Sequence, residues 1–267
     1  APLPRFALSQ IHLAAQDFGA ALSRAKEAAA LAPGDPRVLA NLARIELAAG
    51  HSREAIEILT GPVLGANESD EIRFVRAIAY RSEGKIPQAR EELRKIAADG
   101  KPSLSVLIAQ AHLEARAGEQ ETALTAARRS QALFPDAPEG YALEGDLLAA
   151  AGEFAAAEPA FATALKKGGG INVMVRQFKL LVRSGRRDEA IKFAEDWVKR
   201  SSKNPQELYT LAVAFAEVGE KKKAIATYET LAGRPDVHAS VLNNLAWLYF
   251  ESGDQRALET AQRALEL

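Results

Sequence analysis

The sequence contains no cysteine, carries almost no net charge and has no long apolar run. The absence of cysteine excludes disulfide frameworks, zinc–thiolate sites and cysteine nucleophiles. A formal net charge of −1 leaves no global field that would attract nucleic acid or anionic lipid, so we expect no nucleic-acid partner. No stretch reaches the roughly 18 apolar residues of a membrane span. We therefore expect any membrane attachment to use an anchor outside this sequence.

Residues that could supply catalysis or metal binding are scattered along the chain. None of the histidines, at positions 12, 51, 112 and 238, has a second histidine four residues away. The glycine run at 168–170 lacks the lysine and hydroxyl residue of a phosphate-binding loop and indicates a flexible turn. We therefore predict no metal site, no cofactor and no enzymatic activity.

What the sequence does contain is a repeat marked by glycine. Glycine occurs at 50, 84, 118, 152, 185, 219 and 253, so successive glycines lie 34, 34, 34, 33, 34 and 34 residues apart. Gln16 extends the series one step towards the N-terminus. Each position lies between two amphipathic helical patterns, as in LARIELAAGHSREAIEIL. Glycine adopts the left-handed turn between antiparallel helices without a steric cost, so each repeat is predicted to be a helix-turn-helix unit.

A small residue follows each of these turns at a fixed distance. Alanine occurs five residues after each turn position, at 21, 55, 89, 123, 157, 190 and 224, and Ala257 comes one residue early in the last repeat. A small side chain lets the two helices of a hairpin approach closely. The alanines therefore predict the contact line between the helices of each unit.

These features resemble the tetratricopeptide repeat family, in which a 34-residue unit carries aromatic, glycine and alanine residues at fixed positions. The best single match is LNNLAWLYFESGD at 242–254, and a second set is Tyr141, Gly145, Ala157, Phe161 and Ala164. The resemblance implies an all-α fold: a right-handed α-solenoid superhelix of about eight helix-turn-helix repeats. It implies a single array over 1–267, with units near 2–35, 36–69, 70–103, 104–137, 138–170, 171–204, 205–238 and 239–267.

Two positions depart from the repeat pattern. Gly61 and Pro62 stand where the second helix of the second unit should continue, so that helix is predicted to end early or to kink. Pro159 lies about one turn inside the second helix of the fifth unit. The sequence stops at ETAQRALEL inside a predicted helix, and we expect a fragment of a longer protein whose last helix exposes apolar surface.

In the tetratricopeptide repeat family, the first helices line a concave groove that binds a partner. Carried over to this sequence, the family positions predict the partner-binding residues Arg37, Asn41, Arg44, Phe74, Arg81, His112, Asp146, Lys179, Tyr209, Asn243 and Trp247. The three arginines and Asn41 predict a basic lobe suited to an acidic group on a peptide. Tyr209, Asn243, Trp247 and Phe250 predict an aromatic lobe suited to an apolar anchor or a sugar face.

Each lobe has an alternative interpretation. Glu46 or Glu71 could pair with the arginines, which would make the basic lobe an ordinary solvated surface. Trp247 and Phe250 could instead pack beneath a following helix. Both alternatives stay open on the sequence alone.

The alanine-rich units, and especially HASVLNNLAWLYFESGDQRALETAQRALEL, also resemble the repeat-containing lipoprotein of the bacterial PEP-CTERM (exosortase) system. That resemblance implies a periplasmic or membrane-anchored scaffold in exopolysaccharide export or protein sorting, with a protein or peptide partner. The alternatives are a cytoplasmic adaptor of the same repeat type and a module that binds polysaccharide directly. An enzyme with regulatory repeats would need a catalytic domain outside this sequence.

Overall fold

The computed structural model of the protein describes residues 2–62, 68–98, 101–201 and 204–267. Within these ranges the chain forms sixteen α-helices and no strand, which confirms the all-α prediction. The chain divides into two compact units, Ala1–Pro135 and Asp136–Leu267, and each unit contains four helical hairpins. That all eight repeats form one array stays a prediction.

The helices of the first unit are α1 (Pro2–Ala14), α2 (Phe18–Leu31), α3 (Pro36–Ala48), α4 (Ser52–Thr60), α5 (Asp70–Ser82), α6 (Ile86–Ala98), α7 (Leu104–Arg116) and α8 (Gln120–Leu133). Those of the second unit are α9 (Pro138–Ala150), α10 (Phe154–Lys166), α11 (Gly170–Arg183), α12 (Arg187–Ser201), α13 (Pro205–Glu217), α14 (Lys221–Ala232), α15 (Ala239–Glu251) and α16 (Ala257–Leu265). Odd-numbered helices are the first helices of their repeats, and even-numbered helices are the second. Consecutive helices pack against each other within each unit.

Local sequence determines where the first helices begin. The side chain of Asp35 accepts a hydrogen bond from the backbone at the start of α3, and Ser69, Ser103 and Asn204 do the same for α5, α7 and α13. Proline occupies the first turn of α3, α9 and α13, where its missing N–H costs no helical hydrogen bond. These caps satisfy backbone donors that a helix start would otherwise leave unpaired.

The predicted turns and contact lines are present. All seven glycines of the series have positive φ, between 69° and 87°, and Gln16 has φ 59° at the equivalent position. The seven predicted alanines are fully buried, whereas Ala257 is only partly buried. Helix α4 has nine residues and ends at Thr60, directly before Gly61, as predicted. Helix α10 continues through Pro159.

The hairpin of α9 and α10 shows how closely paired helices approach. A Cβ atom built on Gly145 would lie 2.7 Å from the ring of Phe161. Phe161 and Ala157 are both buried on α10. The absence of a side chain at 145 therefore makes room for the aromatic ring of the facing helix.

Candidate functional site

The predicted basic lobe is largely compensated by acidic residues of the protein itself. Arg44 on α3 donates from Nη2 to Glu71 Oε1 on α5 at 2.8 Å. The guanidinium of Arg37 lies 3.5 Å from the carboxylate of Asp35, the residue that caps α3. Arg81 has no ion-pair partner within the described ranges. Two of the three cations are thus already paired, and the alternative in which Glu71 pairs with an arginine is the arrangement found.

Asn41 does not line an exposed groove, which corrects the sequence expectation. Asn41 is 1% exposed, and its side-chain Nδ2 donates to Ser9 Oγ on α1 at 2.9 Å. A buried amide needs such a partner, so Asn41 joins α1 to α3. Glu46 is likewise buried and does not pair with the arginines of the lobe; it lies 2.8 Å from His51 Nδ1 and 3.4 Å from Lys26 Nζ.

The other predicted residues of the first unit differ in exposure. Phe74 on α5 is half-buried and packs against a core cluster that contains Leu93 and Leu113. His112 on α7 is exposed. Phe74 is therefore mainly a packing residue, while His112 lies at the surface.

The predicted charged residues of the second unit join adjacent first helices. Asp146 on α9 accepts from Arg176 Nη1 on α11 at 2.7 Å. Lys179 on α11 pairs with Glu217 on α13. Ion pairs at partly exposed positions stabilise a protein only slightly, but they leave little free charge on this face.

The aromatic lobe presents two large exposed rings on α15. Trp247 is 60% exposed and Phe250 is 69% exposed, and their ring centroids lie 5.8 Å apart with the planes tilted by 40°. Asn243, one turn before Trp247, is exposed as well. A hydrogen bond from Lys221, assisted by the indole of Trp247, lowers the pKa of Glu251. We call Asn243, Trp247 and Phe250 the aromatic patch.

Tyr209 lies in a small polar and aromatic cluster rather than beside Trp247. It is half-buried on α13 and meets the ring of Tyr228 edge-on at a centroid distance of 6.0 Å. The amide Nδ2 of Asn244 donates to both tyrosine hydroxyls at 3.1 Å. Sequence reasoning missed Asn244 and Tyr228, because helical spacing gives the face of a residue but not its partner on another helix.

A cleft of about 510 Å³ opens beside Tyr209. It lies between the N-terminal ends of α13 and α15 and the loop that joins α14 to α15, and its lining residues are Asn204, Pro205, Gln206, Tyr209, Leu231, Arg234, Asp236, Val237, His238, Ser240 and Val241. Arg234 Nε donates to Asp236 Oδ1 at 3.1 Å, and this bond lowers the pKa of Asp236. The loop residues escaped sequence analysis because they fall outside the first-helix positions that define the family groove.

The sequence matches known family models, and the fold is similar to that of solved structures. Residues 12–64 and 41–105 match two family models, each described as a tetratricopeptide repeat. A solved thermophilic tetratricopeptide repeat protein of Thermus thermophilus superposes with a TM-score of 0.58 at 23% identity, over 68% of this chain and 100% of that chain. A tetratricopeptide repeat protein of Parabacteroides merdae gives 0.62 at 16% identity, over 93% and 98%.

The chain has a tetratricopeptide repeat fold. PilW, described as a widely conserved type IV pilus biogenesis factor, also shares it, with a TM-score of 0.66 at 16% identity over 79% of this chain and 97% of that chain. No curated protein matches the sequence. Tetratricopeptide repeats generally bind protein or peptide partners and act as non-enzymatic scaffolds.

The described residues contain neither a cluster of metal ligands nor a membrane-spanning helix. Among the described residues, no three histidine, aspartate or glutamate side chains are grouped as metal ligands would be. The same part of the chain holds no helix whose length and apolar content would allow it to cross a membrane. The aromatic patch and the cleft on the same helix are the exposed features from which a functional interpretation starts.

Proposed function

We propose that the chain is a non-enzymatic scaffold that binds a peptide segment of a partner protein on the first-helix face of α15, centred on the aromatic patch. The observation that supports this site is the exposure of Trp247 and Phe250 side by side. Large exposed aromatic side chains are uncommon on a surface without a partner and are frequent at the centres of binding interfaces. An apolar side chain that covers both rings would remove their apolar area from water.

An apolar anchor fits this face better than an acidic one. Lys179 is paired with Glu217, and Lys221 donates to Glu251 at 2.9 Å, so these two cations are compensated. In the first unit only Arg81 among the three lobe arginines lacks an ion-pair partner among the described residues. Binding at the aromatic patch therefore predicts an affinity that changes little with salt, whereas binding of an acidic peptide at the arginines predicts a steep fall with salt.

A polysaccharide is the second ligand class that exposed aromatic rings can bind. Sugar faces stack on flat aromatic surfaces, but the planes of Trp247 and Phe250 are tilted by 40° and do not form one platform. Asn243 is the adjacent exposed amide. The tilt favours an apolar side chain held between the two rings over a stacked sugar.

The test is a random-peptide display selection against the protein, followed by affinity measurements on the selected peptides. Replacing both Trp247 and Phe250 by serine should weaken binding by about thirtyfold, the loss that corresponds to an interface hot spot of about 2 kcal/mol. Leu258→Ser is the matched control, because Leu258 is 70% exposed but lies on the second helix α16. Unchanged affinity in the double variant would contradict the proposed site, and binding of a soluble glycan in place of peptides would favour the polysaccharide alternative.

The pathway part of the proposal is a role in envelope assembly, namely exopolysaccharide export or protein sorting in a bacterium. It is supported by the resemblance of the sequence to the PEP-CTERM (exosortase) lipoprotein, and the alternative is a cytoplasmic adaptor. Fractionation of the native host, with antibodies to this chain, tests the compartment. Recovery in the cytoplasm would contradict the envelope role and leave peptide binding at Trp247 untouched.

A further inference from the structure

The cleft and the aromatic patch lie on one side of the same helix. Ser240 lines the cleft near the start of α15, and Trp247 follows it by seven residues. Residues seven apart in an α-helix point in nearly the same direction, and the rise of about 1.5 Å per residue separates them by roughly 10 Å. A single elongated ligand can therefore contact both features.

The cleft gives an apolar group a place to pack among polar side chains. Leu231 and Val241 are buried at its base, and Val237 and Tyr209 are half-buried beside them. Six of the eleven lining residues are polar or charged, namely Asn204, Gln206, Arg234, Asp236, His238 and Ser240. The cleft has a volume of about 510 Å³, within the range of roughly 300–1,000 Å³ that is usual for ligand pockets. It is therefore larger than a gap between packed side chains.

The charges beside the cleft do not select a charged ligand. Arg234 is held by Asp236, and the lowered pKa of Asp236 keeps that carboxylate ionised at neutral pH. The carboxylate of Glu207, at the start of α13, accepts from Trp197 Nε1 at 2.9 Å and from Asn204 Nδ2 at 3.1 Å. A charged ligand would lose hydration here without gaining a free counter-charge.

We infer that the cleft is a second anchor site for the peptide bound at the aromatic patch. One uncharged, apolar side chain enters the cleft, and another covers Trp247 and Phe250. An extended chain advances about 3.3 Å per residue, so the roughly 10 Å between the two features corresponds to a spacing of about three residues. The inference rests on the proposed function, and it adds the spacing and the chemistry of the two anchors.

The absence of cysteine makes a thiol-tethering test possible. In Ser240→Cys the only thiol lies at the cleft, on the side of α15 that also carries Trp247. The probes are uncharged serine–glycine peptides with one cysteine, a leucine next to it on the N-terminal side, and a phenylalanine at increasing distances on the C-terminal side. Equilibration with excess mercaptoethanol, followed by intact-mass measurement, gives the fraction of protein that each peptide captures.

The captured fraction should be highest when the phenylalanine stands about three residues from the cysteine of the peptide. Replacing either the leucine or the phenylalanine of the peptide by serine should lower the exchange constant about tenfold. The leucine effect should disappear in Gln206→Trp, which places a bulky ring at the cleft. The phenylalanine effect should disappear when Trp247 and Phe250 are both serine. Ala155→Cys, at an exposed position of the second helix α10, is the matched control and should show neither preference.

The outcomes separate the two ideas. A phenylalanine effect without a leucine effect, or a leucine effect that survives Gln206→Trp, overturns the cleft as an anchor site and leaves the aromatic patch in place. Capture that does not depend on the position of the phenylalanine overturns the predicted spacing. A leucine effect without any phenylalanine effect in Ser240→Cys, where Trp247 and Phe250 are intact, contradicts the proposed function instead.

Discussion

Arg76 is the charged residue whose removal should destabilise the first unit most. It lies on α5 with only 6% of its side chain exposed. Nη1 donates to the carbonyl oxygen of Leu59 at 3.0 Å and to Glu68 Oε1 at 2.8 Å, and Nη2 donates to Glu92 Oε2 at 2.7 Å. Burial on its own lowers the pKa of Arg76, but the hydrogen bonds to the two carboxylates outweigh it and raise the pKa. The side chain of Arg76 on α5 therefore connects the C-terminal end of α4 to α6.

Replacement of Arg76 by methionine keeps most of the apolar stem but removes the cation. The carboxylate of Glu92 is then left buried, with Lys95 Nζ 3.9 Å away as its nearest cation. Breaking one side of a buried ion pair costs about 3–5 kcal/mol, mainly because the remaining charge is desolvated without a partner. Replacing both Arg76 and Glu92 by apolar residues removes that charge as well and should recover most of the stability.

The measurement should be local, because repeats that contact only their neighbours need not unfold in a single step. Hydrogen exchange followed by mass spectrometry of fragments from α5 and α6 gives the opening free energy there, and fragments from α13 and α14 are an internal reference. Arg53→Met is the control, since the side chain of Arg53 is 83% exposed in its pair with Glu83 and its loss should leave the protection of α5 and α6 nearly unchanged. Equal protection in Arg76→Met and the unaltered protein would refute the reasoning.

Three further predictions concern packing and acid stability. Gly145→Ala places a methyl group 2.7 Å from the ring of Phe161 and should lower the unfolding free energy by about 1–3 kcal/mol in urea, with recovery when Phe161 is also replaced by leucine. Ala157→Leu overpacks the same hairpin and should cost about 1–3 kcal/mol, whereas Ala155→Leu on the exposed side of α10 should be nearly neutral; equal effects would contradict the helix pairing. Side-chain and backbone hydrogen bonds from Arg256 lower the pKa of Asp254 from 3.8 to about 2. The stability that ionised Asp254 contributes is therefore complete above pH 3.8 and is lost as the pH falls through 2. Asp254→Asn should weaken that acid dependence in melts recorded over this range, and an unchanged profile would contradict it.

Much of the fold could be predicted because tetratricopeptide repeats place local requirements at fixed intervals. A left-handed turn requires glycine or a tolerant residue, which explains both the glycine series and the positive φ of Gln16. A close helix contact requires a small residue, which explains the buried alanines. These requirements act within one hairpin, so the sequence of that hairpin reveals them.

The candidate site was harder to predict because it depends on pairings between hairpins. The spacing of Asn41 and Arg44 gives their positions around α3, but the residues that meet them come from α1 and α5. Asn41 is buried against Ser9, and Arg44 is paired with Glu71. Nothing in the periodicity of one helix specifies these partners. The cleft could not be predicted for a related reason, because the loop between α14 and α15 forms one of its walls.

Equivalent positions of the first helices carry different chemistry in different repeats, and this difference supports the choice of Trp247. Arg44, Asp146 and Lys179 occupy that position in three repeats, and each pairs with a residue of an adjacent first helix. In those repeats the position serves to join neighbours. Trp247 occupies it on α15 and presents most of its surface to solvent instead. The position holds a joining charge in those three repeats and an exposed tryptophan on α15, and the proposed contact with a partner rests on this difference.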